Sequence, residues 1–173
     1  MSIIGDSEMA ELKDNDEKHQ EVRTNLDEVF DLLLPTDANQ AVEYSEWLKI
    51  KTKMRLNQQE SKNFPIIKKG VYYINFGKNV GSEQEKDRPA VILWTQKNSP
   101  IVIAIPISDE HHGSTFWFHV HLSTGDTALV EQIRAVSKTR IRTPVREKGK
   151  IRELLKHELE DINIALDKLK YRF

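Results

Sequence analysis

Two short runs, Val91-Ile92-Leu93-Trp94 and Ile101-Val102-Ile103-Ala104-Ile105, stand on either side of a polar Gln96-Lys97-Asn98-Ser99-Pro100 break. Both are rich in β-branched residues, which pack well on a pleated surface, so the pair reads as a hairpin of buried strands. A Gly81-Ser82-Glu83-Gln84 turn and Arg88-Pro89 lead into the first run, and Ser108 follows the second. The polar residues therefore fall at strand ends and loop tips, where a rigid sheet aims side chains at a ligand. The stretch from Gly81 to Ser108 is the place to expect a site.

The rest of the composition narrows the chemistry. A chain of 173 residues, 38% hydrophobic and 31% charged, can bury one ordinary core and still have residues left over. One domain with an extension is expected. No segment approaches the roughly 20 apolar residues of a membrane helix, and MSIIGDSEMAELKDNDE lacks the basic and apolar regions of a signal peptide. The expectation is a soluble, cytoplasmic protein with no membrane partner. With no cysteine, disulfides, thiol nucleophiles and thiolate metal sites are excluded. The net charge of −1 hides an asymmetry: residues 1–48 carry 13 acidic and 3 basic side chains, residues 49–173 carry 14 acidic and 23 basic. A basic body suits an anionic partner such as nucleic acid, and an acidic arm beside it can mimic that partner. Acidic helices also serve simply to keep a chain soluble.

Along the chain, residues 1–19 show no sustained apolar period and are expected to be disordered or frayed. Val22, Leu26, Val29, Phe30 and Leu33 recur at helical spacing until Pro35, and Thr36 or Asp37 can cap a second helix containing Trp47, Ile50 and Met54. A polar stretch from Asn57 to Asn63 sets a boundary near Phe64, dividing an acidic helical extension (1–64) from a second domain (65–173). After Gly70 the period shortens to that of strands, expected at Val71–Phe76, Pro89–Thr95, Ile101–Ile107, Thr115–Leu122 and Ala128–Val136. Five such runs argue a small antiparallel barrel or sandwich. A final helix, with Ile151, Leu154, Leu155, Leu159, Ile162, Leu166 and Leu169 on one face, covers the sheet or joins a dimer.

In order and spacing, Lys69-Gly70-Val71-Tyr72-Tyr73, Val80-Gly81-Ser82-Glu83-Gln84, Arg88-Pro89-Ala90-Val91-Ile92-Leu93, Ser99-Pro100, Ile105-Pro106-Ile107-Ser108 and Leu129-Val130-Glu131-Gln132-Ile133-Arg134 resemble the MazF/PemK family of toxin-antitoxin systems. The resemblance spans about residues 68–169 and leaves the N-terminal helical extension unrelated. It implies an α+β fold, a PemK/CcdB-like (SH3-like) antiparallel barrel with a C-terminal helix. It also implies a homodimer, a cognate antitoxin, and an endoribonuclease that cuts single-stranded RNA at short sequences without a metal. The family's catalytic arginine and hydroxyl residue correspond to Arg88 and Ser108, with serine in place of the usual threonine. Its Thr-His-Val-Glu segment corresponds to Phe118-His119-Val120-His121, keeping His119 and departing at two flanking positions.

Metal-free RNA cleavage uses the neighbouring 2′-hydroxyl as nucleophile and yields a 2′,3′-cyclic phosphate and a 5′-hydroxyl, so no cofactor is called for. Arg88 offers a planar, permanently charged fork for phosphate oxygens, and Ser108 a hydroxyl donor. His119 is the third catalytic candidate, since imidazole is the side chain that ordinarily titrates near neutrality. Expected RNA contacts are Ser82, Glu83, Gln84 and Lys86 ahead of Arg88, with Trp117 and His121 near the fourth strand. Phe116, Trp117 and Phe118 offer faces on which bases stack, although strand alternation would turn at least one inward. Alternation would likewise put Glu131 and Ile133 on one face, Gln132 and Arg134 on the other. His111-His112 is read as an exposed loop pair rather than a metal site. Two other readings stay open: a non-catalytic CcdB/PemK-like regulator that binds nucleic acid or protein, and an assembly factor acting through the N-terminal helices.

Overall fold

The computed structural model describes residues 6–56, 62–111 and 113–169. The chain divides into two units, the first ending at Lys49 and the second beginning at Ile50. In the first, α1 spans Asp6–Leu33 and α2 begins at Ala38, ending at Leu56. The helix thus starts well before Val22, where the sequence suggests disorder; residues 1–5 of that expectation lie outside the described residues. No glycine or proline interrupts residues 6–34, Lys18 pairs with Asp14 one turn away at 2.5 Å, and none of the described side chains of residues 14–33 is buried, so local propensity supports the helix. Pro35 ends it, with the Thr36 hydroxyl donating to the Leu33 carbonyl at 2.7 Å. Asp37, not Thr36, caps α2: its Oδ1 accepts the amides of Asn39 and Gln40 at 3.0 and 3.1 Å.

The second unit is built on strands β1 (Val71–Asn75), β2 (Asp87–Thr95), β3 (Ile101–Ser108), β4 (His119–His121), β5 (Thr127–Leu129), β6 (Arg134–Ser137) and β7 (Ile141–Pro144). They form one antiparallel sheet in the order β4-β5-β3-β2-β1-β7, with β6 also on β3. A hairpin of β8 (Arg146–Glu147) and β9 (Lys150–Ile151) precedes α3 (Lys156–Leu169). Gly70 opens β1 because nothing larger fits: a Cβ there would lie 2.8 Å from the Tyr72 ring and 2.9 Å from Ile67.

The connections require the sheet to curl. Strands β6 and β7 lie on opposite edges of β3-β2-β1, four inter-strand spacings or about 19 Å apart if flat. Only the 3₁₀ turn Lys138–Arg140 joins them, and four steps of about 2 Å bridge roughly 8 Å. The edges must therefore approach, giving the SH3-like wrap, while no ladder pairs β6 with β7 and the sheet stays open. Both faces are buried. Val71, Val91, Ile105 and Ile107 pack with Ile162 and Ala165 of α3, while Tyr72, Ile74, Ala90, Ile92, Val102 and Ala104 pack with Val136 and Ile141. Along β1, β2 and β3 odd and even residues feed different cores, the period-2 alternation of strands covered on both sides.

Three expected elements are redrawn. Of Thr115–Leu122 only His119–His121 is strand, and residues 115–118 form an approach loop with Phe116 and Trp117 both exposed. The Ala128–Val136 run breaks into β5, a 3₁₀ turn at Val130–Gln132 and β6. The cause is β3: β5 pairs with Ile107 and Ser108 while β6 pairs with Ile101 to Ala104, so the chain must step between them. Glu131 and Gln132 therefore sit on the turn and do not alternate with Arg134. Residues 151–154 are extended rather than helical: Glu153 bridges Gly70, and the Leu154 amide donates to the Lys69 carbonyl at 2.9 Å.

Candidate active site

Ala90 faces Pro106 and Val91 faces Ile105 across β2 and β3. Beyond the Ala90–Pro106 pair, Arg88 near the start of β2 and Ser108 at the end of β3 are linked through Glu110, whose carboxylate lies near Arg88 and whose amide donates to Ser108 Oγ. Arg88 is held from two sides. Its Nε donates to the Glu85 carbonyl at 3.1 Å, and a terminal nitrogen lies 3.5 Å from Glu110 Oε1. The guanidinium shares a pocket of about 420 Å³ with Tyr73, Lys86, Asp109, Asp126 and Arg152, so three cations line one concavity among carboxylates.

Ser108 is 1% exposed and opens a tight turn. Its Oγ accepts the Glu110 amide at 3.2 Å, the local bond by which serine closes such turns, and lies 3.0 Å from His111 Nδ1. His111 is thus partly buried and bonded rather than freely exposed; His112 lies outside the described residues. The Thr127 hydroxyl donates to the His111 carbonyl at 3.2 Å, tying the loop to β5. The His111 ring meets the His119 ring edge-on at 5.2 Å. His119, its side chain 6% exposed, has both nitrogens engaged: Nδ1 with Ser114 Oγ at 2.6 Å and Nε2 with Glu131 Oε1 at 3.3 Å. Phe116 and Phe118 stack on each other and flank the same ring. His121 is also doubly engaged, with Thr127 Oγ1 at 3.1 Å and the Ser114 carbonyl at 2.9 Å.

The Gly81-Ser82-Glu83-Gln84 turn is anchored by the segment that follows β5. Gln132 accepts the Gln84 amide at 2.7 Å and donates to the Ser82 carbonyl at 3.3 Å. Arg134 lies 3.6 Å from Glu83, donates to the Phe76 carbonyl at 3.3 Å and covers the Phe76 ring at 4.9 Å. Gly81 has φ +63°, a conformation that costs a side-chain-bearing residue strain, with open space where its Cβ would be. Ser82, Glu83, Glu131, Gln132 and Arg134 line a second groove of about 510 Å³. Gln84 Oε1 and Glu131 Oε2 are buried acceptors with no hydrogen-bond partner among the described residues.

The fold therefore brings together Arg88 and Ser108, with His111 and His119 continuing the line. Ser82, Glu83 and Gln84 form a neighbouring wall, and Lys86 (φ 65°) lies between the two on the pocket's rim. Trp117 is exposed at the far end of the aromatic loop, edge-on to Phe118 at 5.2 Å. Sequence reading missed His111, Ser114, Glu110 and the anchoring part of Gln132. Only the three-residue step from Ser108 to His111, a turn spacing, carried a trace of this. No group of three potential metal-binding side chains occurs among the described residues.

Residues 68–169 match the family model described as PemK-like, MazF-like toxin of type II toxin-antitoxin system. Among solved structures, MazF (form I) from Deinococcus radiodurans is similar in fold, with TM-score 0.51 and 18% identity over 62% of this chain and 97% of that one. A MazE-MazF structure (form II) from the same organism matches with TM-score 0.48 and 18% identity, over 62% and 96%. Comparison with curated proteins gave no match.

Proposed function

The chain belongs to the PemK-like, MazF-like toxins of type II toxin-antitoxin systems, and from that premise we propose that it is a metal-independent endoribonuclease acting on single-stranded RNA. The observation that carries the reading is Arg88 joined to Ser108 through Glu110, with Arg88 lining a pocket that also holds Lys86 and Arg152. A scissile phosphate takes the place of the Glu110 carboxylate on Arg88, whose orientation the Glu85 carbonyl already fixes. As the 2′-oxygen attacks and charge builds on the phosphate, the guanidinium fork neutralises it and the Ser108 hydroxyl donates to a non-bridging oxygen. His119 acts as a buttress rather than a proton carrier, because Ser114 and Glu131 occupy both its nitrogens. The products are a 2′,3′-cyclic phosphate and a 5′-hydroxyl.

The groove beside the Gly81 turn suits base recognition. Ser82, Glu83, Gln132 and Arg134 line it with hydrogen-bonding groups of both kinds, and base edges carry both donors and acceptors. Exposed Phe116 and Trp117 add stacking surfaces. Residues 65–173 form the toxin module, 1–64 its extension; the module is a homodimer and meets a cognate antitoxin in the cytoplasm. Replacing Arg88 by alanine tests the assignment: loss of a preorganised charge donor lowers cleavage by about 100-fold or more. Digestion at the wild-type rate by R88A contradicts it.

A further inference from the structure

The proposed cleavage needs a group to take the 2′-hydroxyl proton, and the residues already assigned do not supply one. A guanidinium such as that of Arg88 is a permanently charged donor with no lone pair to offer. His119 and His121 have both ring nitrogens bonded, Glu83 and Glu110 face Arg134 and Arg88, and Glu131 holds His119 with one oxygen while the other is buried from solvent. His111 differs from its neighbours. Its Nδ1 lies 3.0 Å from Ser108 Oγ, its carbonyl is fixed by Thr127, and among the described residues no hydrogen bond engages its Nε2.

We propose that His111, through Nε2, is the general base of the reaction, an assignment that rests on the endoribonuclease reading above. Ser108 Oγ accepts the Glu110 amide and has one proton to give. If that proton went to His111, Ser108 would have none for the phosphate. With the imidazole proton on Nδ1 instead, His111 and Glu110 both donate to Oγ, the hydroxyl proton is turned to the substrate, and the imidazole lone pair is left on Nε2. One tautomer thus serves both residues. In the step, the 2′-oxygen forms a bond to phosphorus as its proton passes to Nε2. The phosphorus–5′-oxygen bond breaks with its electron pair on the leaving oxygen, which takes a proton from solvent.

Among the described residues, the charged and titratable groups around His111 are His119 and His121 on β4, Glu131 on the 3₁₀ turn that holds His119, Arg88 on β2, and Asp109 and Glu110 in its own loop. A pH profile must therefore be compared across variants. Asparagine at position 111 can keep a donor near the Nδ1 position but cannot accept the proton. The experiment measures kcat/KM on random-sequence RNA from pH 5 to 8 for the wild type, His111→Asn, His111→Ala and His119→Asn. Binding of the same RNA with 2′-O-methyl groups throughout is measured in parallel.

His111→Asn and His111→Ala should both lose about 100-fold or more in kcat/KM, within the usual contribution of general base catalysis. Both should also lose the fall in rate toward acid pH and bind 2′-O-methyl RNA within about threefold of wild type, whereas His119→Asn should keep that fall. Near-wild-type cleavage by His111→Asn, or an acid limb that survives in both His111 variants, overturns the assignment while the endoribonuclease reading stands. A wild type that leaves RNA uncut overturns both.

Discussion

Glu158 shows how much one buried carboxylate can organise. It is 1% exposed, yet its Oε1 accepts both the amide and the hydroxyl of Ser123, at 2.8 and 2.7 Å, and its Oε2 accepts the Leu155 amide at 2.8 Å. The last bond reaches back to the residue before α3, half of a capping box, while the first two tie the β4–β5 turn to the helix. Burial alone would raise its pKa; the bonds from Ser123 and Leu155, with Arg152 nearby, outweigh burial and hold it below the ordinary value. A depressed carboxylate stabilises the fold above its unfolded pKa, and that contribution disappears as pH falls through the folded one. Glu158→Gln should therefore cost about 1–3 kcal/mol at pH 7, where an amide nitrogen meets donors instead of acceptors. The gap from wild type should narrow as urea melts are repeated below about pH 4. An equal gap at both pH values contradicts the linkage. The place of Arg88 near the start of β2 was legible from the run that follows it, but the bonding of His111 was not, because its partners Ser108 and His119 meet it only after β3, β4 and β5 have paired.

Elements with strong local signals were legible in the sequence. The β2–β3 hairpin announced itself by two β-branched runs, α1 by its stop at Pro35, and α2 by Asp37. Elements whose form depends on a partner were not. The β5–turn–β6 segment reads as one strand until β3 divides its edge between two partners, and β7 to β9, from the polar Arg-Thr-Pro-Val-Arg-Glu-Lys-Gly stretch, carry too few apolar residues to register as strands. Conversely, α1 extends over residues with no apolar stripe, since propensity and ion pairs do not appear in a hydrophobic period. Its acidity is the basis of a proposal at this scale: residues 1–36 carry 10 acidic and 3 basic side chains, a negative charge that works against the attraction of RNA to the chain. Deleting them spares the Asp37 cap and should tighten RNA binding severalfold at low salt, with the difference shrinking as the Debye length falls toward about 8 Å. Equal affinities at both salt concentrations contradict this role for α1.

For the second unit, the curled sheet, its two cores and α3 put Arg88, Ser108, the turn at Gly81 and the aromatic loop on a folded support, and residues 49–173 carry 23 basic against 14 acidic side chains. No helix among the described residues is long and apolar enough to cross a membrane. A homodimer, the assembly implied by the family, should give a light-scattering mass near twice 20.1 kDa at micromolar concentration; a monomer that retains activity contradicts it. The central claim is the chemistry, and the most direct measurement is digestion of random-sequence RNA by the wild-type protein in excess EDTA, with the ends of the fragments analysed. The account predicts cleavage undiminished by the chelator, with 2′,3′-cyclic phosphate on one fragment and 5′-hydroxyl on the other. Intact RNA, cleavage abolished by EDTA, or fragments with 5′-phosphate ends would contradict it.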